Sequence, residues 1–300
     1  GFYRSEVDVP PDPTRLTAIE RAMSVDDRWA ATLGGRHDPA SFSGFVEAFT
    51  GDPDLAVWQA VLRGLYTIDL VAPGRHLTTA AEASGLLGGI VDRLGWEPSE
   101  SEGDRTRQLR GILLVAAGTL ADDPAVIAEA RRRWSANASS DPAVDGAVVA
   151  IVTSHGDSAD RAECRRRFGA AETSQEEQRH LRALALFPGI TEVEALLDEV
   201  HQATVRTQDA PFLIRSLLAH PHHRALVWRN LVDHWEDMED RLPSNSIARM
   251  LEGIRALGAD VDPDVDRFLD DNPVPQGALT VAQHRERRHV NLRLGNRLSG

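Results

Sequence analysis

Residues 128–134 read AEARRRW and residues 162–168 read AECRRRF. Three arginines and a closing aromatic return after 34 positions, Arg131 to Arg165, with small and acidic neighbours in the same places. A return at that distance marks a repeated structural unit. Helix start signals say what the unit is, because Ser, Thr, Asp or Asn just before a helix accepts from backbone N–H groups that have no partner inside it. One series of such residues falls at Thr106, Asp141, Ser174 and Asp209, and a second, interleaved, at Asp123, Ser158 and Thr191. Steps within each series are 33 or 35 residues, so two helices alternate per repeat. Pro124 and Pro142 directly follow their caps, where a missing N–H costs nothing. Ser174 with Glu177, and Thr191 with Glu194, have capping-box spacing. Apolar residues recur at three and four: Leu181, Leu184 and Ala185, then Val193, Leu196, Leu197 and Val200. That is a helical period, and nothing nearby alternates with the period of a strand.

A unit of about 34 residues holding two helices predicts an all-α chain, an α-solenoid of antiparallel helix pairs, since each hairpin buries its apolar face only against its neighbours. The tetratricopeptide pattern has that length, but its spaced Trp, Leu-Gly, Tyr and Pro positions are absent, which favours HEAT- or armadillo-like pairs. Both arginine triplets fall in the last turns of the second helix of a pair, where cations complement the helix dipole by roughly 0.3–1 kcal/mol each. Trp134 and Phe168 are expected to pack inward while the arginines face water. The other reading is a ladder of arginines for an acidic partner. It stops at the third repeat, which carries Glu199-Val200-His201.

The first hundred residues are helical but less regular. Asp12 with Pro13, Ser24 with Asp27, Asp38 with Pro39 and Asp52 with Pro53 each announce a helix of roughly ten to twenty residues. WEPSESEG, residues 96–103, reads as an exposed loop. The expected organisation is an extended segment at residues 1–9, left from a preceding β domain, then a helical domain over 10–298. That domain is irregular to about residue 103 and regular from about 104.

Composition narrows the function. The 300 residues are 42% hydrophobic, and no apolar run approaches the roughly 20 residues of a membrane-spanning helix. A cytoplasmic setting, with no membrane partner, is the expectation. A net charge of −13 repels nucleic acid phosphates, so no nucleic acid partner is expected. All 33 basic residues are arginine, which reads as the coding bias of a high-GC bacterium. Cys164 stands alone, excluding an intrachain disulfide and a cysteine-rich zinc site. Asn137-Ala138-Ser139 fits a glycosylation acceptor, a triplet common by chance. Gly1 in place of an initiator methionine reads as the start of a piece of something longer.

No catalytic constellation emerges. A zinc peptidase helix needs His-Glu-x-x-His, and no histidine here precedes a glutamate. His220, His222 and His223 around Pro221 read as a solvated turn, and His234 beside Trp235 as packing. Gly85, Gly88 and Gly89 follow no strand and lack the lysine of a phosphate loop. Cys164 lies inside a predicted helix beside arginines that lower a thiol pKa, yet a lone helical cysteine is ordinarily buried filler. No cofactor is expected in this chain.

Residues 204–257 carry the most distinctive pattern. Arg206-Thr207-Gln208-Asp209 precedes a helix with Leu213, Ile214, Leu217 and Leu218; Pro221 then opens another, with Trp228, Leu231, Val232 and Trp235 on one stripe. This region resembles the C-terminal helical domain of the aminopeptidase N family of zinc aminopeptidases, which includes the endoplasmic-reticulum aminopeptidases. That family shows Arg-x-Gln-Asp, a helix, an Asn-Pro-x-Gly-Arg turn, and two tryptophans seven apart. Here the turn is His220-Pro221-His222-His223-Arg224, without the Asn and the Gly. Ser244 to Gly253 resemble the family's small-polar turn and following helix. Gly1-Phe2-Tyr3-Arg4 resembles its passage from a β-sandwich into the helical domain, and Met23 to Trp29 and Val57-Trp58 through Leu65 its opening helices. The resemblance runs from residue 1 to about 294.

The resemblance implies a non-catalytic domain of a bacterial zinc aminopeptidase, whose zinc and catalytic glutamates lie in an upstream domain of the same polypeptide. This chain would form the wall that closes the active-site chamber and contacts peptide substrate. Arg206, Gln208, Asp209, Trp228 and Trp235 are then structural, and Asn245 and Arg249 are the candidate peptide contacts. Two other readings stand beside it: a free-standing scaffold whose groove binds protein partners, and nucleic-acid binding through the arginines, which the acidic balance disfavours.

Overall fold

The computed structural model describes residues 10–138, 141–259 and 265–299. The segment expected to be extended at residues 1–9 lies outside the described residues. Sixteen α-helices occur among the described residues, and no strand: α1 (Ala18–Leu33), α2 (Phe42–Val46), α3 (Leu55–Val71), α4 (His76–Leu94), α5 (Asp104–Thr119), α6 (Pro124–Ser135), α7 (Pro142–Ser154), α8 (Ser158–Gly169), α9 (Ser174–Ala183), α10 (Ile190–His201), α11 (Ala210–Leu218), α12 (Arg224–Asp233), α13 (Trp235–Arg241), α14 (Ser244–Met250), α15 (Val265–Asp271) and α16 (Ala278–Ser299). The described residues form an all-α fold, as the 3.6-residue period predicts. Two compact units divide it, one of Gly1–Val152 with Leu294–Gly300, the other of Thr153–Arg293. No single helix among the described residues is long and apolar enough to cross a membrane.

In the first unit α1 packs on α3, and α5 packs on α3, α4 and α6. Missing side chains permit the closest approaches. A Cβ on Gly64 would stand 2.3 Å from the Phe42 ring, one on Gly111 2.9 Å from Ala143 Cβ, and one on Gly118 2.7 Å from Ile151. Gly111 and Gly118 are two turns apart on one face of α5, so α7 lies against a groove of bare backbone. In the second unit α8 packs on α9, and α11 packs on α10, α12 and α14. Trp228 and Trp235 are both buried, each edge-on to Phe268 at 5.3 and 5.2 Å. Their expected single stripe is two helices broken at His234.

Helix starts fall at or near the predicted caps. Asp123 and Asp141 accept from the N–H groups of Ala125 and Ala143 as expected. The cap of α8 is Asp157 rather than Ser158, and that of α9 is Thr173, boxed with Glu176, rather than Ser174. Adjacent polar residues compete for these positions, and the one with extended backbone dihedrals wins. Gly103 and Gly189 occupy the cap positions of α5 and α10, in place of Thr106 and Thr191. Ser24 lies inside α1, which starts at the Thr17–Glu20 capping box. Asp12 opens only a short 3-10 turn, Pro13–Arg15. Pro221 belongs to a turn, and α12 begins at Arg224.

The arginine repeat has a defined geometry. Glu129 receives Arg132 (2.7 Å) and Arg133 (2.8 Å); Glu163, 34 residues on, receives Arg166 (2.7 Å) and Arg167 (2.6 Å) in the same way. Hydrogen bonds from Arg132 and from Arg166, foremost, hold the two carboxyls down to about 2. Contrary to expectation, the arginines do not all face water: Arg133 is buried over the Trp96 ring and also pairs with Glu97 at 2.5 Å. Phe168 is only half-buried, with Arg165 over its ring. The ladder ends at Glu199 because that position supplies the counter-charge, pairing with both Arg161 (2.8 Å) and Arg165.

Arginines also close helix ends, whose last carbonyls lack intrahelical partners. Arg110, 1% exposed, donates to the carbonyls of Leu94 and Gly95 at the end of α4 and forks onto both oxygens of Glu102 at 2.6 Å. Arg241 donates to Val200 and His201 at the end of α10, both at 2.8 Å. Arg297 donates to Thr32 at the end of α1, at 2.8 Å. Thus the loop 96–103, expected to be simply exposed, carries the anion that neutralises a buried guanidinium.

Gly118→Ala is expected to cost about 1–3 kcal/mol by overpacking. Gly89→Ala, with nothing within 4 Å of the added carbon, should instead stabilise by about 0.5–1 kcal/mol; denaturant midpoints decide both. Arg110→Ala is expected to cost about 2–4 kcal/mol, and Arg110→Lys to recover under half of it, because an ammonium cannot serve two carbonyls and a carboxylate in one plane.

Candidate functional site

The close approach of α5 to α7 leaves a groove of about 560 Å³ whose walls come from α3, α5 and α7. Leu55, Leu62, Ile112, Val115 and Ala147 make its lining predominantly apolar, and Gln59, Arg63, Tyr66 and Gln108 are its polar members. Arg63 is turned to Asp26, at 2.7 Å. The Tyr66 side chain is 37% exposed, while its hydroxyl meets Thr119 Oγ1 at 3.3 Å. Enclosure of that hydroxyl end pushes its pKa up to about 12, with a further push from the nearby Asp69. A groove of this kind receives apolar groups, with a few polar atoms at hand to orient them.

Other candidates resolve into structure. His220 is buried rather than solvated; its Nε2 contacts the Phe187 carbonyl at 3.0 Å and its Nδ1 accepts from the N–H groups of His222 and His223. Burial pushes it down to about 4, so it is neutral and its lone pair is already spent on the turn. Cys164 is buried, donating to the His180 carbonyl at 3.4 Å; burial raises its thiol to about 12 against the pull of neighbouring arginines. Among the described residues no group of three His, Cys, Asp or Glu side chains is placed to hold a metal ion.

The residues singled out from sequence are distributed as follows. Arg206 is exposed and forks onto Glu177 of α9 at 2.7 and 3.2 Å. Gln208 is exposed. Asp209 sits at the cap position of α11, but its side chain accepts from Gln178 of α9 at 3.1 Å instead of from the helix. Trp228 and Trp235 are core. Asn245 and Arg249 are exposed one turn apart on α14, in the second unit, whereas the groove lies in the first. Sequence reading missed the groove because its members come from three helices at unremarkable positions; the small residues Gly111, Ala143, Gly146 and Ala147 were the available sign.

A helical domain with an apolar groove and no metal-ligand cluster among its described residues is the class these features define. The family model described as ERAP1-like C-terminal domain matches residues 8–289, and the chain belongs to that family. It is 24% identical to Aminopeptidase M1 of Arabidopsis thaliana, over 97% of this chain and 36% of that protein. Aminopeptidase M1-A of Oryza sativa subsp. japonica is 26% identical over 97% of this chain and 35% of its own length. The chain therefore spans about a third of the curated relatives it matches.

The groove is tested through its tyrosine. In a Tyr3→Phe background the phenolate absorbance is expected to rise near pH 12; a midpoint near the ordinary value of about 10 would mean that water reaches the Tyr66 hydroxyl freely.

Proposed function

We propose that this chain is the non-catalytic C-terminal domain of an aminopeptidase and that it meets the peptide substrate of the parent enzyme. The observation that carries this reading is the family match over residues 8–289, together with relatives about three times as long. Zinc, which the resemblance implies for the parent enzyme, would be held by the upstream part of the polypeptide. Repeated pairs support a solenoid within each unit: Arg107 of α5 reaches Asp141 before α7 at 3.1 Å, and Gln178 of α9 reaches Asp209 before α11. In the family such a wall closes an active-site chamber, and closure of that kind gates turnover by admitting some substrates and sequestering them. The apolar groove, rather than Asn245 and Arg249, is the better-formed place for a peptide side chain.

The purified chain is expected to bind no stoichiometric zinc and to release no N-terminal residues from peptides; either activity overturns the reading. Fluorescence anisotropy with labelled peptides of about ten residues should detect binding only when they carry a large apolar side chain. Ile112→Arg should weaken that binding about tenfold or more with the unfolding midpoint unchanged. Equal binding by the variant would place the peptide elsewhere.

A further inference from the structure

His76, the first residue of α4, stands between two carboxylates. Its Nδ1 is 2.7 Å from Asp69 Oδ1 on α3, and its Nε2 is 2.8 Å from Asp122 Oδ2 in the turn between α5 and α6. A neutral imidazole has one N–H and one lone pair, so it donates to one of these groups and turns a lone pair on the other. Only the imidazolium donates to both. The ring is about one-third exposed, so protons reach it.

The place of this trio matters. Asp69 is one turn beyond Tyr66 on α3, and Asp122 is three residues beyond Thr119, whose hydroxyl Tyr66 meets. The tie therefore joins α3 to the end of α5 just beyond the Tyr66–Thr119 contact, next to two walls of the groove. We infer that Asp69, His76 and Asp122 form a proton-dependent latch that holds α3 and α5 together beside the groove and loosens when His76 loses its proton. The latch rests on this geometry alone; its link to ligand rests on the peptide reading above.

The charges around the ring agree. From α3 it faces Asp69, from the α5–α6 turn Asp122, and Arg75, directly before α4, is turned to Glu82 of α4 at 3.5 Å. The hydrogen bond to Asp122, foremost, and that to Asp69 raise the ring above the ordinary histidine value against the opposing effect of burial. For a raised folded value the stabilisation is complete below the unfolded-state value of about 6.5. It is lost as pH rises through the folded one. Each unit between the two values corresponds to about a tenfold change in the closed-to-open equilibrium.

The decisive experiment titrates the His76 ring by NMR in the full chain and follows amide-exchange protection, corrected for intrinsic rates, over residues 66–72 and 116–123. Asp122 has a φ of +50°, a conformation asparagine adopts readily, so Asp122→Asn removes the charge and keeps the turn. The expected result is a raised titration in the wild type, protection in both segments falling as the ring deprotonates, and both effects diminished in Asp122→Asn. An ordinary titration, or protection that ignores it, overturns the latch. Peptide affinity measured at about pH 6 and about pH 8.5, either side of the histidine range, should differ in the wild type and converge in the variant. Equal affinities overturn the link to ligand. No peptide binding at either pH sinks the peptide reading, while the titration and exchange decide the latch.

Discussion

A chain whose described residues hold no strand satisfies its backbone inside helices, and each helix then leaves carbonyls open at its C-terminal end. This protein closes several of those ends with guanidinium groups from elsewhere in the fold. Arg110 of α5 reaches the end of α4, Arg241 of α13 that of α10, and Arg297 of α16 that of α1, each donating to backbone carbonyls there. A planar fork with several donors can serve two carbonyls and a carboxylate together, which a lysine ammonium cannot do in one plane. The absence of lysine thus has a structural correlate whatever its origin: alongside arginines that face water, several of the cations connect helices.

The candidate site arises from a second economy, the omission of side chains. Gly111 and Gly118 let α7 come against α5, and the offset of α3 across the same helix opens the apolar groove. Tyr66 of its lining meets Thr119 at the end of α5, and Asp69, His76 and Asp122 tie α3 to the turn after α5 just beyond. Packing, groove and latch are in this way one arrangement seen at successive scales.

Much of the architecture was legible in advance. The 34-residue return of the arginine triplets predicts repeated helix pairs, and Glu129 and Glu163 do hold their arginines in matching forks. Cap positions were read correctly at Asp123 and Asp141 and missed by one at Asp157 and Thr173, where neighbouring polar residues offer the same chemistry and only the backbone dihedrals choose between them. Burial of single polar residues was not legible. His220, in a run of polar residues, is a buried, neutral organiser of its turn, and Arg133, in a triplet of cations, lies buried over Trp96.

Local information determined what is local here: that the chain is helical, where several helices begin, and which faces are apolar, because capping and the 3.6-residue period act within a few residues. The resemblance of residues 204–257 extended this to family membership. Tertiary structure alone decided which guanidinium closes which helix, that Gly111 and Gly118 face another helix while Gly89 faces nothing, and that Asp69, His76 and Asp122 meet. Those outcomes depend on distances between segments as much as 265 residues apart, and side-chain chemistry at one end of such a span does not specify its partner at the other.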